Sequence, residues 1–109
     1  MIIQGSNNPI VIQFDANISE MPTLIITLWS DKDIYQPRMI KRWNKSDINM
    51  EENIAVCPIT EAETKALPPG KLVLEAKGLD DNGNTIFWDQ YEVDVKGRRD
   101  RNIVLTQTT

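Results

Sequence analysis

Residues 60–95, TEAETKALPPGKLVLEAKGLDDNGNTIFWDQYEVDV, carry the reading that decides the fold. The first four, Thr60-Glu61-Ala62-Glu63, spell a capping box, in which the threonine hydroxyl accepts from the Glu63 backbone N–H while the Glu63 carboxylate reaches back. The pattern predicts one short helix over 61–67, stopped by Pro68-Pro69-Gly70. Residues 71–77 then alternate, with Leu72, Leu74 and Ala76 on one face and Lys71, Val73, Glu75 and Lys77 on the other. Asp80-Asp81-Asn82-Gly83-Asn84 is turn chemistry between two strand-like runs and predicts a long hairpin. The returning run breaks phase, because Ile86 and Trp88 are even-numbered while Tyr91, Val93 and Val95 are odd. A β-bulge near Asp89-Gln90 brings both sets to the core face and is the favoured reading; without it Ile86 and Trp88 face outward.

Upstream of this stretch, residues 54–58 read as an apolar strand, and the polar run 44–53 reads as a link. Residues 38–43 predict a strand near a sheet edge, with Arg38, Ile40 and Arg42 on one face and Met39, Lys41 and Trp43 on the other. Residues 23–30 are apolar on both faces, as a central strand requires. Ile10, Ile12 and Phe14 alternate with Val11, Gln13 and Asp15, and residues 1–4 fit a short edge strand. Downstream, residues 96–101 form a charged turn and 102–106 a last strand with Ile103 and Leu105 on one face. The pattern is that of a single all-β domain over 1–109: an immunoglobulin-like antiparallel β-sandwich of about seven strands with one short helical turn. Its expected core is Ile10, Ile12, Phe14, Leu24, Ile26, Leu28, Val56, Leu72, Leu74, Val93 and Leu105.

Composition narrows the function. A chain of 109 residues with 40 % hydrophobic and 26 % charged residues is ordinary for one globular domain. The net charge of −4 disfavours binding to nucleic acid phosphates. No run approaches the length of a membrane span, and the start lacks the basic and apolar regions of a signal peptide. The single cysteine, Cys57, sits in an apolar run and reads as a buried, inert thiol, in keeping with folding in a reducing cytoplasm.

No catalytic constellation is visible. With no histidine, Ser-His-Asp and Cys-His nucleophile systems and the His/Cys zinc sites are absent from this chain. Sixteen acidic residues offer carboxylates, but no spacing selects a pair for glycoside hydrolysis. Asp80, Asn82 and Asn84 imitate the start of a calcium loop, yet Gly83 stands too early and Tyr91 stands where a bidentate glutamate is needed. The expectation is therefore a non-enzyme with no cofactor, no metal and no small-molecule site. Two features suggest contact with a partner. The basic turn holds Arg98, Arg99 and Arg101, and Trp43 or Trp88, if exposed, offers either a protein hot spot or a sugar-stacking platform. The second possibility keeps open a carbohydrate-binding module for cell-surface glycans.

Three segments together resemble a known group. The opening, Met1-Ile2-Ile3-Gln4-Gly5-Ser6-Asn7-Asn8-Pro9, with the alternating strand ending in Phe14-Asp15, is similar to the start of small immunoglobulin-like proteins encoded in phages and prophages of Gram-positive bacteria. Ile54 to Thr64 looks like their strand followed by Leu-Thr-x-x-Glu-Thr, departing from it at Pro58-Ile59. Residues 72–95 are similar to their long hairpin with Asp-Gly or Asn-Gly at its tip, while Pro68-Pro69 is a second departure. The resemblance implies a virion structural or adaptor protein of the tail, baseplate or head. Such a protein is made in the bacterial cytoplasm, is incorporated into a particle, and touches other virion proteins or copies of itself. It transfers no catalytic residue.

Overall fold

The computed structural model describes residues 2–15, 17–19, 21–30 and 38–97. These form eight strands: β1 (Ile2–Ile3), β2 (Ile10–Gln13), β3 (Thr23–Ser30), β4 (Met39–Asn44), β5 (Asn49–Glu51), β6 (Ile54–Cys57), β7 (Gly70–Leu79) and β8 (Thr85–Lys96). One helix, α1 (Glu61–Lys65), joins β6 to β7, and a 3-10 turn over Lys45–Asp47 precedes β5. The strands make a five-stranded sheet in the order β1-β8-β7-β3-β4 and a three-stranded sheet in the order β2-β6-β5. The two sheets pack face to face as an all-β sandwich. All pairings are antiparallel except β1 against β8, which is parallel and sets Ile2 beside Val95 and Ile3 beside Lys96.

The core is filled by one face of each sheet. Leu24, Ile26 and Leu28 of β3, Leu72, Leu74 and Ala76 of β7, and Val93 and Val95 of β8 are buried against Ile12, Phe14, Ala55 and Cys57. Ile10 is only half-buried at the margin, and Val56 lies on the outer face of the smaller sheet because β6 buries Ala55 and Cys57 instead. The predicted last strand over 102–106, with Leu105, lies outside the described residues, as do Arg98, Arg99 and Arg101.

The capping box forms as read. The Glu63 N–H donates to Thr60 Oγ1 at 3.1 Å and the Thr60 N–H donates to Glu63 Oε1 at 2.8 Å. Thr64 is fully buried, and its hydroxyl donates to the Ser6 carbonyl at 2.6 Å. Gln4 Nε2 donates to the Leu67 carbonyl at 2.6 Å. These bonds tie α1 to the connection between β1 and β2, so a five-residue helix gains from tertiary contacts what its length denies it. At the hairpin tip, Asp80 Oδ1 accepts from the N–H groups of Asn82 and Asn84 at 2.9 and 2.8 Å, and Gly83 takes φ of 83°.

Three expectations are corrected. The bulge is not at Asp89-Gln90 but at the hairpin tip, where Gly78 pairs with Phe87 and Leu79 with Thr85, leaving Ile86 as the extra residue. Pairing then runs unbroken through Trp88, so Ile86 and Trp88 face outward, 51 % and 58 % exposed. The even-numbered side chains lose the core because Phe87, Tyr91, Val93 and Val95 take the inner face; Phe87 packs edge-on to Phe14 at 5.6 Å and lies over Gly78, where an added Cβ would meet the ring at 2.4 Å. On β4 a second register shift, between Leu28 and Trp29, sets Trp29 opposite Met39, so Ile40 packs on the core while Met39 is exposed. The polar link over 44–53 contains a strand, β5, that its composition hides.

Candidate functional site

Trp88 and Trp43 meet opposite fates. Trp43 is 1 % exposed, and its Nε1 donates to the Pro58 carbonyl at 2.7 Å. The Lys41 ammonium lies 5.4 Å from the Trp43 ring centroid and also binds Glu63. As an interaction residue Trp43 is therefore corrected to a core residue: a polar anchor across the sandwich holds its indole inside. Trp88 stands on the outer face of β8, paired with Lys77 and flanked along its strand by Ile86 and Gln90. Trp29, on the same outer face, is half-buried, and its buried Nε1 has no hydrogen-bond partner among the described residues. No row of two exposed tryptophans exists among the described residues.

The backbone of β8 is the more informative feature. In a ladder, the N–H and C=O of one residue point to the same side of the strand and those of the next residue to the other. The Gln4 N–H donates to the Lys96 carbonyl at 2.9 Å, so even-numbered β8 residues turn their backbone groups toward β1. The same parity follows from the other end of the sheet. The Ser30 N–H donates to the Arg38 carbonyl at 2.9 Å, which turns the even residues of β3 toward β4. Carried through the β3–β7 and β7–β8 registers, this directs the odd residues of β8 to β7. β1 reaches no further than Ile2 beside Val95. Among the described residues, the N–H and C=O groups of Trp88, Gln90 and Glu92 are thus left on an open edge.

The smaller sheet has a matching open edge. The Phe14 N–H donates to the Asn53 carbonyl at 2.8 Å, which assigns the even residues of β2 to β6 and leaves Val11 and Gln13 pointing away. Between the two edges lies a groove of about 470 Å³. Ile10, Ile12, Leu74, Tyr91 and Val93 line it, with Ile2 and Ile3 at one end. Tyr91 is held above the usual phenol range by burial and then by the negative charges of Asp89 and Asp15. The Tyr91 hydroxyl donates to Asp89 Oδ2 at 3.5 Å, and Asp15 and Asp89 line a hollow beside that end of the groove with Phe14 and Phe87. Glu92 ion-pairs with Lys71 at 3.6 Å on the outer face.

Cys57 is fully buried, and burial pushes its thiol up to about 12, which leaves it protonated and unreactive at neutral pH. The Asp80 carboxyl is lowered chiefly by the Asn84 N–H, so its charge serves the turn. Among the described residues no group of His, Cys, Asp and Glu is placed to hold a metal ion, and no helix is long and apolar enough to cross a membrane. Sequence reasoning missed the open edge because strand order is not written in alternation. Its nearest signal was the parity of Ile86 and Trp88. Comparison with family models, with curated proteins and with solved structures returns no match.

Proposed function

We propose that this chain is a non-enzymatic interaction module with an immunoglobulin-like strand arrangement, serving as a structural or adaptor component of a phage or prophage virion. The observation that carries the interaction role is the open β8 edge above an apolar groove. Native edge strands are usually short, bulged or guarded by lysine and proline. β8 is twelve residues long, its bulge at Ile86 lies before the open stretch, and Trp88, Gln90 and Glu92 include neither lysine nor proline. The strand order supports the finer fold reading. Taken as strands B to G, β2, β3, β4, β5, β6, β7 and β8 fall into a B-E-D sheet and a G-F-C sheet with an added edge strand after C, and β1 runs beside G. The virion role rests on the resemblance of residues 1–15, 54–64 and 72–95 to small phage-encoded proteins of Gram-positive bacteria. It carries with it synthesis in the bacterial cytoplasm, partners among virion proteins or copies of the chain, and no role for nucleic acid, membrane or small molecule.

A carbohydrate-binding module is the second reading, and Trp88 is what favours it: an exposed indole beside Gln90 and Lys77 can stack on a sugar ring. With Trp43 buried, that platform is a single ring. Sedimentation velocity over a range of concentrations, alone and with virion proteins, tests the proposal. Association that weakens with salt and with Arg98→Ser, Arg99→Ser and Arg101→Ser together is the expected result. A strictly monomeric chain that binds no virion protein overturns it. A glycan-array signal abolished by Trp88→Ala in a folded protein promotes the second reading instead.

A further inference from the structure

We propose that the groove between β8 and β2 receives residues 102–106 of a second copy of this chain as an added strand on β8; this rests on the interaction-module reading above. The vacant slot has a defined shape. Above it, Trp88, Gln90 and Glu92 offer N–H and C=O groups that no described strand pairs, in line with β1. Beneath it, Ile12, Leu74, Tyr91 and Val93 present an apolar floor. An added strand must therefore supply main-chain partners on one side and place alternate apolar side chains downward. Asn102-Ile103-Val104-Leu105-Thr106 has that pattern, with Ile103 and Leu105 on one face.

Charge sets the direction. At the end of the groove remote from β1, the Tyr91 hydroxyl donates to Asp89 Oδ2 at 3.5 Å, and Asp15 and Asp89 line the adjoining hollow. Arg98, Arg99 and Arg101 precede the apolar segment. Running parallel to β8, as β1 does, the segment brings its arginines to those carboxylates. The opposite direction brings them to β1 and Lys96.

Chain length excludes the molecule's own tail from this parallel insertion. From Gly97 to Asn102 a fully extended chain reaches about 17 Å, whereas the insertion begins opposite Trp88, about 30 Å back along β8. The slot beside the end of β8 is already filled by Ile2 and Ile3 against Val95 and Lys96.

The test uses full-length chains. Gln90→Cys in one preparation and Val104→Cys in another place two outward-facing thiols side by side if the strand adds as proposed. Mixing them under mild oxidation is expected to give a mixed covalent dimer, suppressed when the second chain also carries Ile103→Asp and Leu105→Asp. Circular dichroism and Trp43 fluorescence check that each variant is folded. Association itself is expected to fall by about tenfold or more with Ile103→Asp and Leu105→Asp. Absence of the mixed dimer, or a Gln90→Cys, Val104→Cys double variant that closes within one chain, overturns the proposal. If sedimentation still shows self-association in that case, the groove assignment fails while the interaction-module reading stands; a chain that stays monomeric and binds no virion protein removes both.

Discussion

The two flanks of the sandwich are closed in different ways. At the β4 flank, side chains bolt the sheets together: Trp43 Nε1 reaches the Pro58 carbonyl, Lys41 binds Glu63 of the capping box, and Lys45 Nζ donates to the Met21 carbonyl. The edge strand there is six residues long, carries Lys41 and Arg42, and is bent by a register shift. At the β8 flank, no side-chain hydrogen bond among the described residues joins β8 to β2, and two residues of β1 cover one end of a twelve-residue strand. One edge is guarded by charge, a bend and tied side chains, and the other, among the described residues, is uncovered beyond β1. The proposal above places the partner on the second.

The largest expected effect breaks the closed flank. Trp43→Ala should cost about 3–5 kcal/mol in denaturant unfolding, as removal of a buried aromatic does, with its polar anchor lost as well. A cost below about 1 kcal/mol would show that the indole is not held inside. Thr60→Ala should cost about 1 kcal/mol, while Thr60→Ser should be nearly silent. Equal losses would shift the effect from the cap to packing of the Thr60 methyl.

A smaller effect is set by pH. The Glu63 carboxyl lies below its ordinary value of 4.5, first through its bond with Lys41 and then through the Thr60 N–H. A lowered carboxyl stabilises the folded state above its unfolded pKa, and that stabilisation is lost as pH falls through the folded value. Thermal melts of the wild type and Glu63→Gln should therefore differ by a constant amount near neutrality and converge as pH falls through the lowered Glu63 value. A gap that widens on acidification would contradict the pair. Smallest of all, Trp88→Ala should change stability by no more than about 0.5 kcal/mol, since its outer-face position leaves little to unpack. A loss comparable to that of Trp43→Ala would mean that the β8 face is covered within one molecule.

The capping box and the hairpin tip are legible in sequence because both are local: the groups that bond lie within four residues of each other. The core face of β7 is legible because alternation has one solution there, and the apolar run of β3 marks it as a central strand. The fate of Trp43 is not legible, because its partner, the Pro58 carbonyl, lies just beyond β6 and only tertiary packing brings the two together. The phase break at Ile86 and Trp88 is legible but its favoured resolution, a bulge at Asp89-Gln90, fails: both residues face outward, and Phe87 takes the inner face where Gly78 leaves room for its ring. The open edge is invisible to periodicity altogether. Alternation tells which side chains share a face, whereas edge exposure depends on which strand has a neighbour, and β1 stops after two residues.

Amide hydrogen exchange, followed residue by residue against protein concentration, tests most directly whether the β8 edge is the assembly surface. At low concentration the N–H groups of Trp88, Gln90 and Glu92 should exchange rapidly while those of Tyr91 and Val93, directed to β7, are protected. As the protein associates, the first three should become protected and the alternation along β8 should disappear. If the protein associates while Trp88, Gln90 and Glu92 continue to exchange rapidly, the edge is not where the copies meet.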